Sequence, residues 1–200
     1  MTSQPYEPTL LFRCFGLRQA PCLSIAPLAQ ALLASAHLHV SLGGRADCPI
    51  VIAPQPAYLM MAYRQDAWHC DVAADGTRAP VRLYPRGSIC LVDLREGASI
   101  ILHSDLDAMA FIIPESLLDE IADFAGEPAA PLLCQRGQPD TVIACLVMAW
   151  ASLMQAATRS DAVLRHTARA ICLHLVHAYG PAMAAAEVGA GQIGRQPTRH

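Results

Sequence analysis

The spacing of short hydrophobic runs constrains the fold of this chain most strongly. Before Pro114 the sequence holds runs rich in aliphatic, aromatic and β-branched residues, separated by glycine, proline or aspartate at intervals of about ten residues. The runs are 37–42, 49–53, 57–63, 68–72, 81–84, 88–93, 99–103 and 108–113. Short strands at this spacing predict a β-sandwich or β-barrel. Segment 27–36 has helical propensity but is equally compatible with a loop.

After Pro114 the apolar residues follow a helical period. A first helix has one apolar face and ends at Gly126, because glycine tolerates the left-handed C-terminal conformation. Asp140 is a good N-cap for a second, broadly apolar helix, and a third begins at Ser160 or Asp161 and ends at Gly180. The sequence therefore predicts an α+β, mainly β, fold with about three helices after the strands.

Composition limits the classes of function. The chain has 200 residues, 54% of them hydrophobic, which is enough for a single core. A net charge of -3, with 14 arginines and no lysine, offers no basic field for binding DNA phosphates. The eight cysteines form no CxxC pair and mostly have apolar neighbours, as buried free thiols do. Because no secretory signal is visible either, we expect a reducing compartment, the cytoplasm.

One uncharged stretch, residues 141–158, approaches the length that spans a bilayer. It contains Ser152, Gln155 and several alanines, and Asp140 and Arg159 bracket it. These features are typical of a buried helix in a core or a subunit interface. We therefore expect no membrane association.

Several short motifs, taken in their order along the chain, resemble the N-terminal domain of AraC/XylS-type transcription regulators. The similarity covers residues 57–180, and the order of the motifs is its main support. They are DG at 75–76, PRGSI at 85–89, VDLR at 92–95, FIIP at 111–114, LLDEIA at 117–122, AGEP at 125–128, the helix start at 140, HL at 174–175 and YG at 179–180.

The resemblance implies a degenerate cupin, a jelly-roll β-barrel, as the sensor in 1–113. An antiparallel helical dimerisation segment of the same domain would occupy 114–180, and a disordered tail would occupy 181–200. In that family the barrel receives an effector, the helices pair two subunits, and a C-terminal module with two helix-turn-helix units reads DNA. We expect that module to be absent from these 200 residues.

The function expected from the resemblance is effector sensing and dimerisation, without enzymatic activity and without a cofactor. The expected partners are a second copy of the chain and a small-molecule effector. DNA would be contacted only through the attached module. A second interpretation is a stand-alone dimerisation module that forms heterodimers with a full-length relative and so inactivates it.

An alternative from another class is a metal-dependent cupin enzyme acting on a small polar substrate. Cupin enzymes bind their metal through a His-x-His pair, a glutamate several residues later and a further histidine. His37 and His39 match the pair, but the next glutamate is Glu96. His166, His174 and His177 share one face of the third helix, where interaction with its negative C-terminal end, or a subunit contact, is favoured over metal binding. We therefore expect no metal site.

The remaining candidates are binding residues. His37, His39, Tyr58 and Trp68 are the candidate ligand-binding residues of the barrel. The predicted dimer interface consists of Val142, Leu146, Trp150, Leu153, Leu164 and Ile171. A cluster of arginines in the second half of the strands (Arg78, Arg82, Arg86 and Arg95) would suit an anionic effector, but ordinary surface charge is favoured.

No catalytic residue is expected. His69–Cys70 are adjacent on a strand and so point to opposite faces, and Cys172 and His174 diverge around their helix. Neither pair therefore forms a nucleophile and its base.

Overall fold

The computed structural model describes residues 8–43 and 48–180, which form four helices and ten strands. The helices are α1 (Pro8–Cys14), α2 (Glu115–Ala125), α3 (Thr141–Gln155) and α4 (Asp161–Tyr179). The strands are β1 (Cys22–Ile25), β2 (Leu33–Val40), β3 (Ile50–Ile52), β4 (Ala57–Tyr63), β5 (Ala67–Asp71), β6 (Arg82–Tyr84), β7 (Ser88–Asp93), β8 (Ala98–Leu102), β9 (Leu106–Pro114) and β10 (Gln135–Pro139). The tail expected at 181–200 lies outside the described residues.

The strands form two antiparallel sheets rather than one closed barrel. Within the described ranges, the larger sheet has the order β1-β2-β9-β4-β7-β10 and the smaller has the order β3-β8-β5-β6. The prediction of a mainly β fold with helices is confirmed, and the closed jelly-roll barrel is not. The segment 114–180 is not purely helical, since β10 returns to the larger sheet and pairs with β7.

Two hydrophobic cores lie on opposite faces of the larger sheet. Successive strand residues point to opposite sides, so β4 sends Leu59, Met61 and Tyr63 into the core between the sheets. Tyr58 and Met60 enter the second core, which α2, α3 and α4 cover. All seven residues of β4 are buried. The chain is therefore built in three layers: small sheet, large sheet, helices.

The predicted helix ends are found at their capping residues. Gly126 has φ 71° after α2. The Asp140 carboxylate accepts a hydrogen bond from the Ile143 amide at 2.9 Å, and Ser160 caps α4 in the same way. Side-chain acceptors at these positions satisfy amides that have no partner within the helix. Among the described residues, every helix is too short or too polar to cross a membrane.

The sequence patterns did not predict three elements: α1, β1 and β10. The segment 27–36, considered as helix or loop, instead enters strand β2 at Leu33, where pairing with β1 and β9 overrides helical propensity. Strand β10 contains Gln135, Gly137 and Pro139, which have low strand propensity. It forms the edge of the larger sheet because its backbone pairs with β7, across a bulge at Gly137.

Candidate functional site

A cavity of about 160 Å³ lies between the two sheets. Strands of both sheets contribute to its wall, and most of that wall is aliphatic. The apolar part includes Ile50, Ile52, Leu59, Met61, Val92 and Ile100, and the polar part includes His69, Asp71, Cys90 and Arg136. The interior of the sandwich therefore offers a largely apolar space with a few polar groups, which is the usual composition of a small-molecule site.

His69 is the most constrained polar residue of the cavity wall. The alternation of β5 turns it into the space between the sheets, where it is 1% exposed. Its Nε2 atom lies 2.6 Å from the Tyr63 hydroxyl, and its ring stacks on Tyr84 with centroids 3.7 Å apart. Its Nδ1 atom is buried and has no hydrogen-bond partner among the described residues. An imidazole is thus held firmly with one ring nitrogen unused.

Burial keeps the groups around His69 uncharged at neutral pH. It lowers the pKa of His69 to about 4 and raises the pKa of Tyr63 well above its ordinary value, because the charged forms would lose their hydration. Burial also raises the pKa of Cys90 to about 12. A protonated thiol is a poor nucleophile. His69, Tyr63 and Cys90 are therefore neutral hydrogen-bonding groups at neutral pH.

The charged part of the wall is an ion pair. Arg136 of β10 donates from Nε to Asp71 at 2.9 Å and from Nη1 to the carbonyl oxygen of Leu91 at 3.0 Å. The guanidinium is thus held by a carboxylate and by the backbone of the neighbouring strand. The two charges cancel, so these groups add no net charge to the cavity.

The predicted metal pair points away from this cavity. His37 and His39 alternate with Leu38, whose side chain enters the core between the sheets, so both histidines lie on the opposite face of β2. His37 Nε2 contacts Asp107 at 2.8 Å, and His39 is exposed. Within 8–43 and 48–180, no three His, Cys, Asp or Glu side chains are grouped so as to hold a metal ion.

The other two candidate ligand residues are also apart from the cavity. Tyr58 is buried in the helix-side core, where its hydroxyl accepts a hydrogen bond from the Leu132 amide at 3.1 Å. Trp68 lies on the opposite side of β5 from His69 and is 46% exposed. The structure therefore does not bring His37, His39, Tyr58 and Trp68 together in one pocket.

The six predicted interface residues divide by exposure. Trp150, Leu164 and Ile171 are fully buried in the core beneath the helices, so they are unable to contact a second chain. Leu146 and Leu153 are partly buried, and Val142 is 47% exposed. Of the six predicted residues, a second chain could therefore contact Val142, Leu146 and Leu153.

The histidines and cysteines considered in the sequence have separate surroundings. His174 donates from Nε2 to the Asp140 carboxylate at 2.9 Å, while His166 and His177 are exposed. Cys70 contacts the ring of His103 at 3.6 Å instead of that of its neighbour His69. Of the eight free cysteines, three are buried (Cys70, Cys90 and Cys172) and three are exposed (Cys48, Cys134 and Cys145).

The arginine cluster lies on the surface. Arg82 and Arg86 are exposed. Arg95 donates to Glu115 at 2.6 Å and lies 3.8 Å from Asp93. The cavity contains a different arginine, Arg136.

Two residues of the cavity were missed by the sequence patterns. His69 was considered only as a partner for Cys70, although the alternation of β5 places His69 and Asp71 on one face. The sequence did not indicate Arg136 as a cavity residue, because the polar segment around it does not resemble a strand. The pairing of β10 with β7 is what carries it to the cavity.

No family model matches the sequence, and no curated protein matches it. Among solved structures, a Cupin 2 conserved barrel domain protein from Salinispora arenicola is 13% identical, with 62% of this chain and 98% of that chain covered, at a TM-score of 0.34. An RmlC-like cupin protein from Desulfovibrio desulfuricans is 10% identical, with 46% and 80% covered, at 0.29. Oxalate decarboxylase from Bacillus subtilis is 10% identical at 0.30, with 48% of this chain and only 29% of that chain covered. The structural neighbours thus include cupins, at a likeness too low to transfer a function.

Proposed function

We propose that this chain is a non-enzymatic sensor domain that binds a small molecule between its sheets and pairs with a second copy through α3. The observation that carries the proposal is the cavity of about 160 Å³ between the sheets, whose largely apolar wall also carries His69, Asp71 and Arg136. A concave, largely apolar space with a few polar groups is typical of small-molecule sites. A cavity of about 150 Å³ holds one benzene-sized molecule.

The chemistry of the wall supports binding rather than turnover. A histidine whose pKa is about 4 is a weak base at neutral pH, and a thiol whose pKa is about 12 stays protonated. The alternative, a metal-dependent enzyme, would have to use His37 and His39, which lie on the far side of the large sheet from the cavity.

Helix α3 supports the pairing part of the proposal. It contains no charged residue, and its outer side exposes Val142, Cys145, Met148 and Ala149, with Met148 58% exposed. An exposed, uncharged, mostly apolar patch of this kind suits a two-fold interface, in which the same surface is used by both subunits. Such pairing would cover apolar side chains that are otherwise in water.

Strand β10 provides a physical link between the cavity and α3. It carries Arg136 to the cavity wall and ends at Pro139, directly before Asp140, which caps α3. A ligand that binds one position of β10 better than another would shift the position of α3. In a regulator of the AraC/XylS type, the paired helices would then set the spacing of attached DNA-reading modules, and DNA contact would belong to those modules.

Ligand binding is tested with a library of single-ring fragments, monitored by amide NMR. Fragments should perturb residues that line the cavity, and at 100 times the dissociation constant they should add about 2.7 kcal/mol to the free energy of unfolding. Ala98→Leu, which fills the cavity, should abolish this gain. Ala162→Leu on the exposed side of α4 should leave it intact. Absence of any cavity-directed fragment would contradict the sensor proposal, as would stoichiometric Fe, Mn, Ni or Zn lost on His37→Ala.

Pairing is tested by light scattering on the purified chain across a range of concentrations. We expect a dimer that Met148→Glu converts to a monomer, because the substitution places a charge in an apolar interface. Val163→Glu is the control, since Val163 is also exposed, on α4, at 47% against 58% for Met148. A wild-type chain that stays monomeric, or a dimer indifferent to Met148→Glu, would contradict pairing through α3.

A further inference from the structure

We infer that a second cavity, of about 130 Å³ beneath α3, binds a small monocarboxylate through Arg64 and Arg86. The apolar part of this ligand, no larger than about one ring, would lie between α3 and the larger sheet. The site goes beyond the proposed function, because its lining shares no residue with the cavity between the sheets.

The wall of the second cavity is formed by the end of β4, the turn into β7 and helix α3. Its apolar side chains are Ala62, Ile89, Ala144, Val147 and Met148. Arg64 and Arg86 belong to the same wall, and both are exposed. An apolar space whose wall also carries two solvent-accessible cations suits a ligand with an apolar body and one negative charge.

The backbone places the two arginines next to each other. Gly87 donates its amide to the carbonyl oxygen of Tyr63 at 2.9 Å. Arg86 directly precedes the donor of this bond, and Arg64 directly follows the acceptor. Ala62 lies on the helix-facing side of β4, so strand alternation directs Arg64 to that side as well. Two neighbouring positive charges repel each other, and an anion bound between them would offset that repulsion.

The guanidinium of Arg64 has no hydrogen-bond acceptor among the described residues. His37 Nε2 lies 2.8 Å from Asp107 Oδ1 and 3.2 Å from Arg64 Nη1. An ionised carboxylate only accepts, so Nε2 carries the proton that it donates to Asp107 and has no lone pair left for Arg64. Asp107 itself lies 3.8 Å from Arg64 Nε, beyond hydrogen-bond distance. The N–H donors of Arg64 are therefore available to a ligand.

The guanidinium of Arg86 is also available. Asp66 accepts a hydrogen bond from the Arg86 backbone amide at 2.8 Å, and no carboxylate within 8–43 and 48–180 forms an ion pair with the Arg86 side chain. The two neighbouring acids are thus bound by other donors, Asp66 by this amide and Asp107 by His37. Guanidinium groups bind carboxylates through charge-assisted, often paired, hydrogen bonds. Two arginines without a carboxylate acceptor therefore favour a carboxylate ligand over a neutral one.

The test compares three probes: cyclopentanecarboxylate, cyclopentylmethanol and acetate. The first has both the ring and the charge, the second has the ring alone, and the third has the charge alone. Amide NMR titration follows the α3 residues that line the second cavity, in wild type and in Arg64→Gln, Arg86→Gln and Arg82→Gln. Arg82→Gln is the control, because Arg82 is exposed on β6 and lines neither of the two cavities.

Cyclopentanecarboxylate should bind wild type about tenfold more tightly than either other probe, and Arg64→Gln or Arg86→Gln should each weaken its binding about tenfold. Cyclopentylmethanol binding should change by less than about twofold in these variants. Binding of the alcohol or of acetate as tight as that of cyclopentanecarboxylate would overturn the inference. An equal loss in Arg82→Gln, or no shift of the α3 amides with cyclopentanecarboxylate, would overturn it too.

A variant that keeps both arginines tests the cavity itself. Ala144→Leu places a larger side chain in the second cavity and should abolish cyclopentanecarboxylate binding. Ala162→Leu, at an exposed position of α4, should leave binding unchanged. Full binding in Ala144→Leu would show that the anion contacts the arginines outside the cavity, and the inference would be wrong. None of these outcomes depends on whether fragments bind between the sheets.

Discussion

Lowering the pH should destabilise this fold through His69. Its pKa is about 4 in the folded chain, against an ordinary value of 6.5. Above pH 6.5 His69 is unprotonated in both the folded and the unfolded chain, so its contribution to the free energy of unfolding does not change with pH there. Between pH 6.5 and 4 His69 binds a proton in the unfolded chain but not in the folded chain, so the free energy of unfolding falls. Below pH 4 both states are protonated and this loss stops growing.

The size of the effect follows from the same two values. Each tenfold change in proton affinity corresponds to about 1.4 kcal/mol, so His69 should remove about 2 kcal/mol of stability between pH 7 and 5 and about 3 kcal/mol between pH 7 and 4. That is a large part of the free energy that holds a domain together, which is typically about 5–15 kcal/mol. The residue is almost fully buried, so solvent screening does little to reduce the figure.

Urea unfolding of wild type and His69→Gln at pH 7, 6, 5 and 4 isolates this contribution. Other carboxylates and histidines titrate in both proteins and cancel in the difference between the two curves. Wild type should lose about 3 kcal/mol more than His69→Gln between pH 7 and 4. Parallel curves would show that His69 is hydrated or ion-paired in the folded chain, and would refute the reasoning from burial.

Three further substitutions test the packing around the site, each by urea unfolding. Trp150→Ala should cost about 3–5 kcal/mol, because a fully buried indole is replaced by a cavity. Asp140→Ala should cost about 2 kcal/mol through loss of the α3 cap and its neighbouring hydrogen bonds. Although burial raises the pKa of Asp140, hydrogen bonds outweigh it and the pKa lies below its ordinary value, so this contribution is present above about pH 3.8 and is lost as the pH falls further. Gly137→Ala should cost more than Gly76→Ala. Both glycines have positive φ, but only at Gly137 would the new Cβ lie 3.3 Å from Tyr84.

The elements that the sequence predicted are those whose signal is local. Strands β4 and β7 were placed at their observed bounds, and α3 at its cap, because an uninterrupted apolar run or a capping carboxylate acts through neighbouring residues. Strand β10 depends on contacts with a strand more than forty residues earlier, and its own residues favour a turn. The sheets also separate where a single barrel was expected. Closure depends on which edge strands pair, and alternation of apolar residues does not specify that pairing.

The candidate site was harder to predict than the fold for a related reason. Strand alternation places His37 and His39 on one face of β2, as expected. It does not determine which face of β2 is directed toward the smaller sheet. The larger sheet is covered on both sides, so apolar residues occur on both of its faces. The alternation of apolar residues therefore does not indicate which face meets the smaller sheet. His69 lies in the smaller sheet, and its partner Tyr63 in the larger one. The contact between His69 and Tyr63 depends on how the two sheets pack against each other.

Strand β4 contributes side chains both to the cavity and to the core beneath the helices. Met61 lines the cavity on one face, while Met60 packs on the other face in the core that contains Trp150 of α3. Only one layer of backbone separates a ligand from the helices. Close-packed interiors transmit displacements because they have few voids to absorb them. A ligand that displaces Met61 would therefore be accommodated either by the smaller sheet on the other side of the cavity or by the core beneath α3. Binding that leaves α3 unchanged would place the motion in the smaller sheet, whereas binding that alters pairing would place it in the larger sheet.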